Sequence, residues 1–245
     1  MVSKEIHPLE MMIVAVSRLL RNGETVATGT LSPVPAAGCL LACRTHGPDI
    51  VPLIYGDPDS RISDGLYELF GLAQRGKVDV FFLSGIQIDQ CGSINLSAIG
   101  DYAKPDLRLP GGAGSNMLYA LSGRTILFSM NHDRRVFVPR VDFVNAAAFD
   151  EGVPSPWRRG GMSHAVTPLC VMRFDGERKR IVLESLLPGV SLGSVVGNTG
   201  FDLGIEGRDI PEMAPPADLE LALLRTEVRD RMKRIYRLFA EMLWG

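Results

Sequence analysis

The stretch Asp79–Asn116 reads DVFFLSGIQIDQCGSINLSAIGDYAKPDLRLPGGAGSN, and the rest of the chain is arranged around it. It opens on an apolar, β-rich run, Val78 to Leu83, passes through a polar turn region from Gln87 to Asn95, and closes on Gly111-Gly112-Ala113-Gly114-Ser115-Asn116. The side chains of that last loop are too small to be there for packing. A buried strand that feeds a glycine-rich loop brings backbone N–H groups against an anionic or carbonyl ligand. A tight turn that needs positive φ would account for the same glycines, and both readings stand at this point.

Working outward, apolar runs alternate with helical patterns. Glu10 to Arg21 carries Met11, Val14, Ala15 and Leu19 at helical spacing and stops at Asn22-Gly23. Thr25 to Gly29 predicts a strand. Ser32-Pro33 predicts an N-cap and first helical residue for a helix running to Arg44. Ile50 to Tyr55 predicts a second strand, the segment around Leu66 to Ala73 a third helix, and Val78 to Leu83 a strand apolar enough to be covered on both faces. The order helix, strand, helix, strand, helix, strand predicts an α/β fold: an open, mostly parallel sheet with helices on both faces, in a single domain.

Beyond the loop, Thr125 to Met130 predicts another strand, Val136 to Val144 a patchier one broken at Pro139, and Val166 to Phe174 with Ile181 to Leu186 a hairpin. Ser191 to Val196 predicts a short capped helix. Residues 1–210 read as the α/β domain. Residues 211–245 read as a linker, Pro211 to Pro216, and one long amphipathic helix, Asp218 to Trp244, packed on the domain or on a partner. Its apolar positions are Leu219, Leu223, Leu224, Val228, Ile235, Leu238 and Met242. Its Arg225, Arg229, Arg231, Lys233, Arg234 and Arg237 suit either a solvated face or a partner-binding one.

With 245 residues, 46% of them hydrophobic, the chain can bury one sizeable core, and a net charge of −2 without a long basic block argues against nucleic acid as partner. Cys39, Cys43, Cys91 and Cys170 fit no zinc template and read as buried small apolar residues in a reducing compartment; no metal is expected. The apolar N-terminal stretch is too short and interrupted to span a membrane, and its Glu5 and Glu10 do not suit a signal peptide. A soluble, cytoplasmic protein is the expectation.

The glycine loop is neither a phosphate-binding loop, since no Gly-Lys-Ser/Thr follows, nor a dinucleotide fingerprint, since its glycines are wrongly spaced. Gln87, Asp89, Asn95 and Asp101 lie between strand and loop, and Asp89-Gln90-Cys91-Gly92 reads as a turn. His46 and His132 are isolated, and no Ser/His/Asp set assembles from spacing.

The segment SGIQIDQCGSINLSAIGDYAKPDLRLPGGAGSN resembles the B subunit of family I CoA-transferases, glutaconate CoA-transferase in particular. Asn22-Gly23 with Thr28-Gly29-Thr30, Gly47-Pro48-Asp49, Arg134-Arg135-Phe137 and Asn198-Thr199-Gly200-Phe201-Asp202 match further motifs of that family in the right order. The resemblance implies the CoA-transferase fold, a separately encoded A subunit with the active site at the A–B boundary, and an acyl-CoA thioester as substrate with no permanently bound cofactor. It implies a thioester-binding loop at Gly111, Gly112, Ala113, Gly114, Ser115 and Asn116, whose amides would stabilise an oxyanion, with Asp57 and Asn95 as further binding residues and Gln87 in the catalytic set. The family closes the strand after Ala-Pro-Asp with a glutamate that attacks the thioester and becomes a glutamyl-CoA. Here that position is Tyr55, followed by Gly56; the nearest acid, Asp57, stands about 7 Å further along an extended chain. A phenol with a pKa near 10 is a poor nucleophile at neutral pH. Tyr55 therefore enters as a hydrogen-bond donor or acid. The resemblance then extends to members of the superfamily that hydrolyse or decarboxylate an acyl-CoA, including the steroid-ring-opening hydrolases.

Overall fold

The computed structural model describes residues 5–60, 65–150 and 155–245. The chain opens with α1 (Pro8–Arg18), two residues earlier than its apolar spacing suggests. The reason is local: the Glu10 carboxylate accepts from the His7 N–H at 3.1 Å and the His7 ring accepts from the Leu9 N–H at 3.1 Å, with Pro8 at the first helical position. Strand β1 (Thr25–Thr28), helix α2 (Pro33–Arg44), β2 (Val51–Ile54), α3 (Leu66–Gln74) and β3 (Val80–Leu83) follow as the alternation predicts. Ser32 precedes α2 but its hydroxyl makes no capping bond. Cys39 lies in the core, and Cys43, one turn on, is half-buried.

After β3 come the short strands β4 (Gln87–Asp89), β5 (Ile94–Asn95), β6 (Ala98–Ile99) and β7 (Leu107–Arg108), then α4 (Ser115–Leu121), β8 (Arg124–Phe128) and β9 (Phe137–Val138). The patchy run 136–144 thus yields only a two-residue strand, paired parallel to β4. The strand expected over Val166 to Phe174 begins later, as β11 (Cys170–Asp175), and a strand that the sequence pattern does not predict, β10 (Met162–Val166), precedes it. Pro168 has no N–H to donate, and the Thr167 hydroxyl accepts from the N–H groups of Leu169 and Cys170, both at 3.2 Å, so the chain turns there. β11 then forms the expected hairpin with β12 (Arg180–Leu186), and α5 (Leu192–Asn198) is capped by Ser191, whose hydroxyl accepts from the Ser194 N–H at 3.2 Å.

The main sheet runs β12-β11-β10-β8-β3-β1-β2. Its pairs from β10 through β2 are parallel, and the β10–β11–β12 end is antiparallel. Alternate residues feed two cores: Val80 and Phe82 pack with α1 and α2, while Phe81 and Leu83 pack with α3 and α4. That is why β3 is apolar at every position.

The C-terminal helix departs from the single rod expected. It is α6 (Asp218–Leu223), a π-helical turn (Leu224–Val228), α7 (Arg229–Ile235) and, after a break at Tyr236 (φ −130°, ψ 63°), α8 (Arg237–Trp244). Leu224, Val228, Met232 and Ala240 join the core beside α1 and α2, whereas Leu219, Leu238 and Met242 are exposed. Three of its arginines turn back onto the domain: Arg225 pairs with Glu10, Arg231 with Asp57 and the half-exposed Arg234 with Asp59, while Arg229 and Arg237 pair within the arm, with Asp230 and Glu241. No helix of the described residues is long and apolar enough to cross a membrane.

Candidate active site

Five parallel strands end on one edge of the sheet, at Thr28, Ile54, Leu83, Phe128 and Val166. Ligands of open α/β sheets bind outside this carboxyl edge, because the loops there leave strands that return through helices on either face. Helix α4 runs back from this edge toward the start of β8, so the loop Gly111–Asn116 lies on it, as do the turn after β2 with Tyr55 and the turn after β8 with His132.

The loop has an unusual backbone. Gly111 (φ 92°), Ala113 (φ 44°) and Gly114 (φ 84°) are left-handed, and Ala113 is a rare non-glycine in that region. A Cβ on Gly114 would stand 2.5 Å from the Phe70 ring, so only glycine fits. The Gly111 N–H is bound by the Leu96 carbonyl at 3.0 Å and the Ser115 N–H by that of Gly112 at 2.7 Å. The N–H groups of Gly112, Ala113, Gly114 and Asn116 have no acceptor among the described residues. The buried Ser115 hydroxyl beside them is also unpartnered there, and a Cβ on Gly112 would lie 2.7 Å from it. Unpaired amides gathered in a turn of left-handed backbone form a concave nest for negative charge.

Gln87 and Asn95 occupy the adjoining strands with their side chains fully engaged. The Gln87 Oε1 accepts from Asn95 Nδ2 at 2.7 Å and from the Asp142 N–H at 3.0 Å, and its Nε2 donates to Asp142 Oδ2 at 3.0 Å. Asn95, fully buried, donates also to the Ala98 carbonyl, and its Oδ1 accepts from the N–H groups of Ser97 and Ala98. Asp89 is a turn residue: its Oδ1 takes the N–H of Cys91 at 3.0 Å and of Ser93 at 2.9 Å, and burial raises its pKa above the usual range. Asp101 accepts from the Ala103 N–H at 2.8 Å.

Tyr55 is 39% exposed, and its hydroxyl has no hydrogen-bond partner among the described residues. Asp57, two residues on, is 1% exposed, and its carboxylate is enclosed by Ser60 Oγ at 2.6 Å, the Asp59 N–H at 3.1 Å and the Arg231 guanidinium, with Nε at 3.1 Å. Burial alone would raise its pKa, but Ser60, Arg231 and the Asp59 N–H hold it below the ordinary aspartate range. The acid nearest Tyr55 is therefore turned inward, away from the open edge.

His132, which spacing leaves isolated, belongs to this edge. Its Nδ1 lies 2.8 Å from Thr167 Oγ1 and its Nε2 3.0 Å from Thr199 Oγ1, and its ring stacks on Phe137 with centroids 4.5 Å apart. Burial lowers its pKa to about 4, so the imidazole is neutral near pH 7. Thr167 and Thr199 lie 35 and 67 residues along the chain, so only the fold reveals the cluster.

The chain matches the coenzyme A transferase family over residues 57–198. It is 33% identical over 241 residues to the B subunit of the 3-oxoadipate CoA-transferase of Pseudomonas knackmussii, covering 88% of this chain and 91% of that one. It is 28% identical to the B subunit of the glutaconate CoA-transferase of Acidaminococcus fermentans (89% and 91%), and 26% identical to the cholesterol ring-cleaving hydrolase IpdB subunit of Rhodococcus jostii (94% and 95%). The crystal structure of the Acidaminococcus fermentans glutaconate enzyme superposes with a TM-score of 0.78 at 25% identity, over 94% of this chain and 98% of that one. The decarboxylase AibA/AibB superposes at 0.76 and 25% identity, over 90% and 94%. By the extent of the family match and by its relatives, this chain belongs to the coenzyme A transferase family.

Proposed function

We propose that the chain is the B subunit of an A–B enzyme acting on an acyl-CoA thioester at the carboxyl edge of its sheet. The observation that carries this reading is the row of unpaired N–H groups at Gly112, Ala113, Gly114 and Asn116. Attack on a thioester, or formation of an enolate next to it, places negative charge on the thioester oxygen, and preorganised amides stabilise that charge more than they stabilise the neutral carbonyl. The exposed Leu31, Tyr67 and Met130 around the edge suit coverage by an A subunit, which would exclude water from the nest.

Tyr55 stands where the family resemblance expects a nucleophilic glutamate, and Asp57 is sealed inward by Arg231. Among the described residues of this turn, the Asp57 carboxylate is enclosed and that of Asp59 is paired with Arg234. The reading therefore assigns hydrolysis, C–C cleavage or decarboxylation rather than CoA transfer, with the Tyr55 hydroxyl donating a proton or hydrogen bond to the reacting group. The names of the IpdB and AibA/AibB relatives show that such chemistry occurs on this scaffold. The test is to incubate the complex, co-expressed with its A subunit, with acyl-CoA and a labelled acceptor acid. Product without label exchange and without borohydride-trappable enzyme-bound CoA is expected; exchange together with a trapped adduct would rule out the assignment.

The exposed Leu219, Leu238 and Met242 favour a second reading, a non-catalytic scaffolding subunit. Calorimetric titration of the complex with CoA separates the two, since a scaffold needs no CoA affinity.

A further inference from the structure

The turn that carries Tyr55 is tied to the far end of the chain. The Asp57 N–H donates to the Ile54 carbonyl at 3.1 Å, closing a four-residue turn with Tyr55 second and Gly56, at φ 87°, third. Positive φ at the third position is what a type II turn requires. Tyr55 is thus held by β2 on one side and by the buried Asp57 carboxylate on the other. That carboxylate is bound by Arg231 of α7 through both Nε and Nη2. Three residues on, Arg234 pairs with Asp59 at 3.0 Å. The chain then breaks at Tyr236, whose hydroxyl lies 3.2 and 3.0 Å from the carbonyls of Gly29 and Thr30 and accepts from the Ser32 N–H at 3.3 Å. The last turn of α7 and the break after it therefore bridge the turns that leave the neighbouring strands β1 and β2.

We infer that Arg231, in α7, is a positioning residue that holds Tyr55 in place through Asp57. The inference deepens the acyl-CoA reading and rests on it. Two features set Arg231 apart from an ordinary stabilising ion pair. Its partner is almost wholly buried while the arginine itself is not. The pair lies two residues from the proposed proton donor. The half-exposed Arg234–Asp59 pair, with little net strength of its own, would add register rather than stability. The arm is anchored a second time, at the opposite edge of the sheet, where Arg18 at the end of α1 binds Glu220 at 2.6 Å. That pair is a built-in control, since losing it loosens the arm without touching the Tyr55 turn.

The experiment compares Arg231→Met, Arg231→Lys and Arg18→Met in the co-expressed A–B complex. It reads acyl-CoA turnover, thermal melting, and hydrogen exchange of the peptide spanning residues 54–60. Arg231→Met is expected to lower kcat about 10- to 100-fold with KM within about 3-fold, the size of effect that misplacing a catalytic group by an ångström produces. It is also expected to speed exchange in that peptide about 10-fold or more, the release of one charge-assisted hydrogen-bonded contact. Arg231→Lys should restore most of both. Arg18→Met should lower the melting temperature while leaving kcat and the exchange of 54–60 as they were. Equal loss of kcat in Arg18→Met and Arg231→Met, or unchanged exchange in Arg231→Met, overturns the inference. If the wild-type complex consumes no acyl-CoA, the functional reading fails by itself. The exchange comparison then still decides whether Arg231 holds the turn.

Discussion

Two neighbouring regions of the carboxyl edge use their polar groups in opposite ways. In Gln87–Asn95 the side chains look made for chemistry, yet the amides of Gln87 and Asn95 and the carboxylate of Asp89 are spent on one another and on nearby backbone. In Gly111–Asn116 the side chains are nearly absent, yet four backbone donors and one buried hydroxyl are left without partners among the described residues. Of these only the Ser115 hydroxyl is buried, and a buried donor without an acceptor costs about 1–3 kcal/mol. The four amides lie on half-buried or exposed residues, open to a ligand, and that concentration of free donors, rather than residue type, marks where a ligand would be received. In the acyl-CoA reading the second region is the opening, and we propose that the first, with Gln87 and Asn95 engaged within the protein, is the frame that holds it.

The largest blow to this contrast should come from Gly114→Val. The position needs φ near 84°, and a Cβ would meet the Phe70 ring at 2.5 Å, so the nest must reshape. Acyl-CoA turnover of the complex is expected to fall about 100- to 1000-fold, the usual penalty for losing an oxyanion donor. Adding Phe70→Ala relieves the overlap but not the φ, so the double variant should remain inactive. Recovery in the double variant would mean that packing, not amide direction, is what Gly114 provides. Asn95→Leu attacks the frame instead. It fills the same space and strands the groups that Asn95 now satisfies, so urea unfolding should show a loss of about 2–4 kcal/mol. Turnover per folded complex is expected to stay within about 3-fold, because the frame meets no substrate in this reading. A well-folded but inactive Asn95→Leu complex would place Asn95 in the site itself.

His132 tests whether the frame extends to the turn after β8. Its folded pKa, about 4, lies below the unfolded value near 6.5. The unfolded chain therefore binds the proton more readily, and stability falls as pH drops from about 6.5 toward 4. Between pH 7.5 and 5.5 the loss from this group is roughly 1.4 kcal/mol. Glu10, Asp57 and Glu220 titrate in a separate window: burial opposes their ionisation, but Arg225, Arg231 and Arg18 hold each below its ordinary value. Their contribution is present above about pH 4.5 and lost below it. Urea midpoints of wild type and His132→Gln should converge on acidification toward pH 5, and a wild-type midpoint flat across that range would show that His132 is protonated in the folded protein.

Much of the layout is legible in the sequence because each element announces itself locally. Pro33 opens α2 where it should, Gly76 ends α3, and the unbroken apolar run of β3 betrays a strand covered on both faces. What stays hidden depends on distant partners. The turn at Pro168 sits among apolar residues, so the expected strand runs through it from Val166, and β10, whose Ser163 and His164 break its apolar pattern, goes unpredicted. The arginines of the arm reach carboxylates 174 and 215 residues away, which no spacing along a helix reveals. Glycine density points to the loop, but not to which amides are left over. Nor can sequence show that Gln87 is occupied by Asp142, 55 residues on. Family resemblance alone points to Tyr55, and nothing local to its neighbour Asp57 betrays that Arg231 encloses it.

The smallest expected effect is also the most discriminating between frame and opening. Ser115 is buried beside the nest, and its hydroxyl lacks a partner among the described residues. If it were part of the frame, Ser115→Ala would cost stability, as removing one member of a satisfied network does. As part of the opening it carries its desolvation penalty in the ligand-free protein without return, and Ser115→Ala should leave stability unchanged or raise it by up to about 1 kcal/mol. Turnover should move the other way, down about 10-fold, if the hydroxyl finds its partner only on the thioester, because a hydrogen bond of about 1.4 kcal/mol realised in the transition state is worth that factor. Melting temperature and kcat measured on one preparation of the complex therefore answer together. A rise or no change in the first with a fall in the second assigns Ser115 to the opening, and a fall in both returns it to the frame.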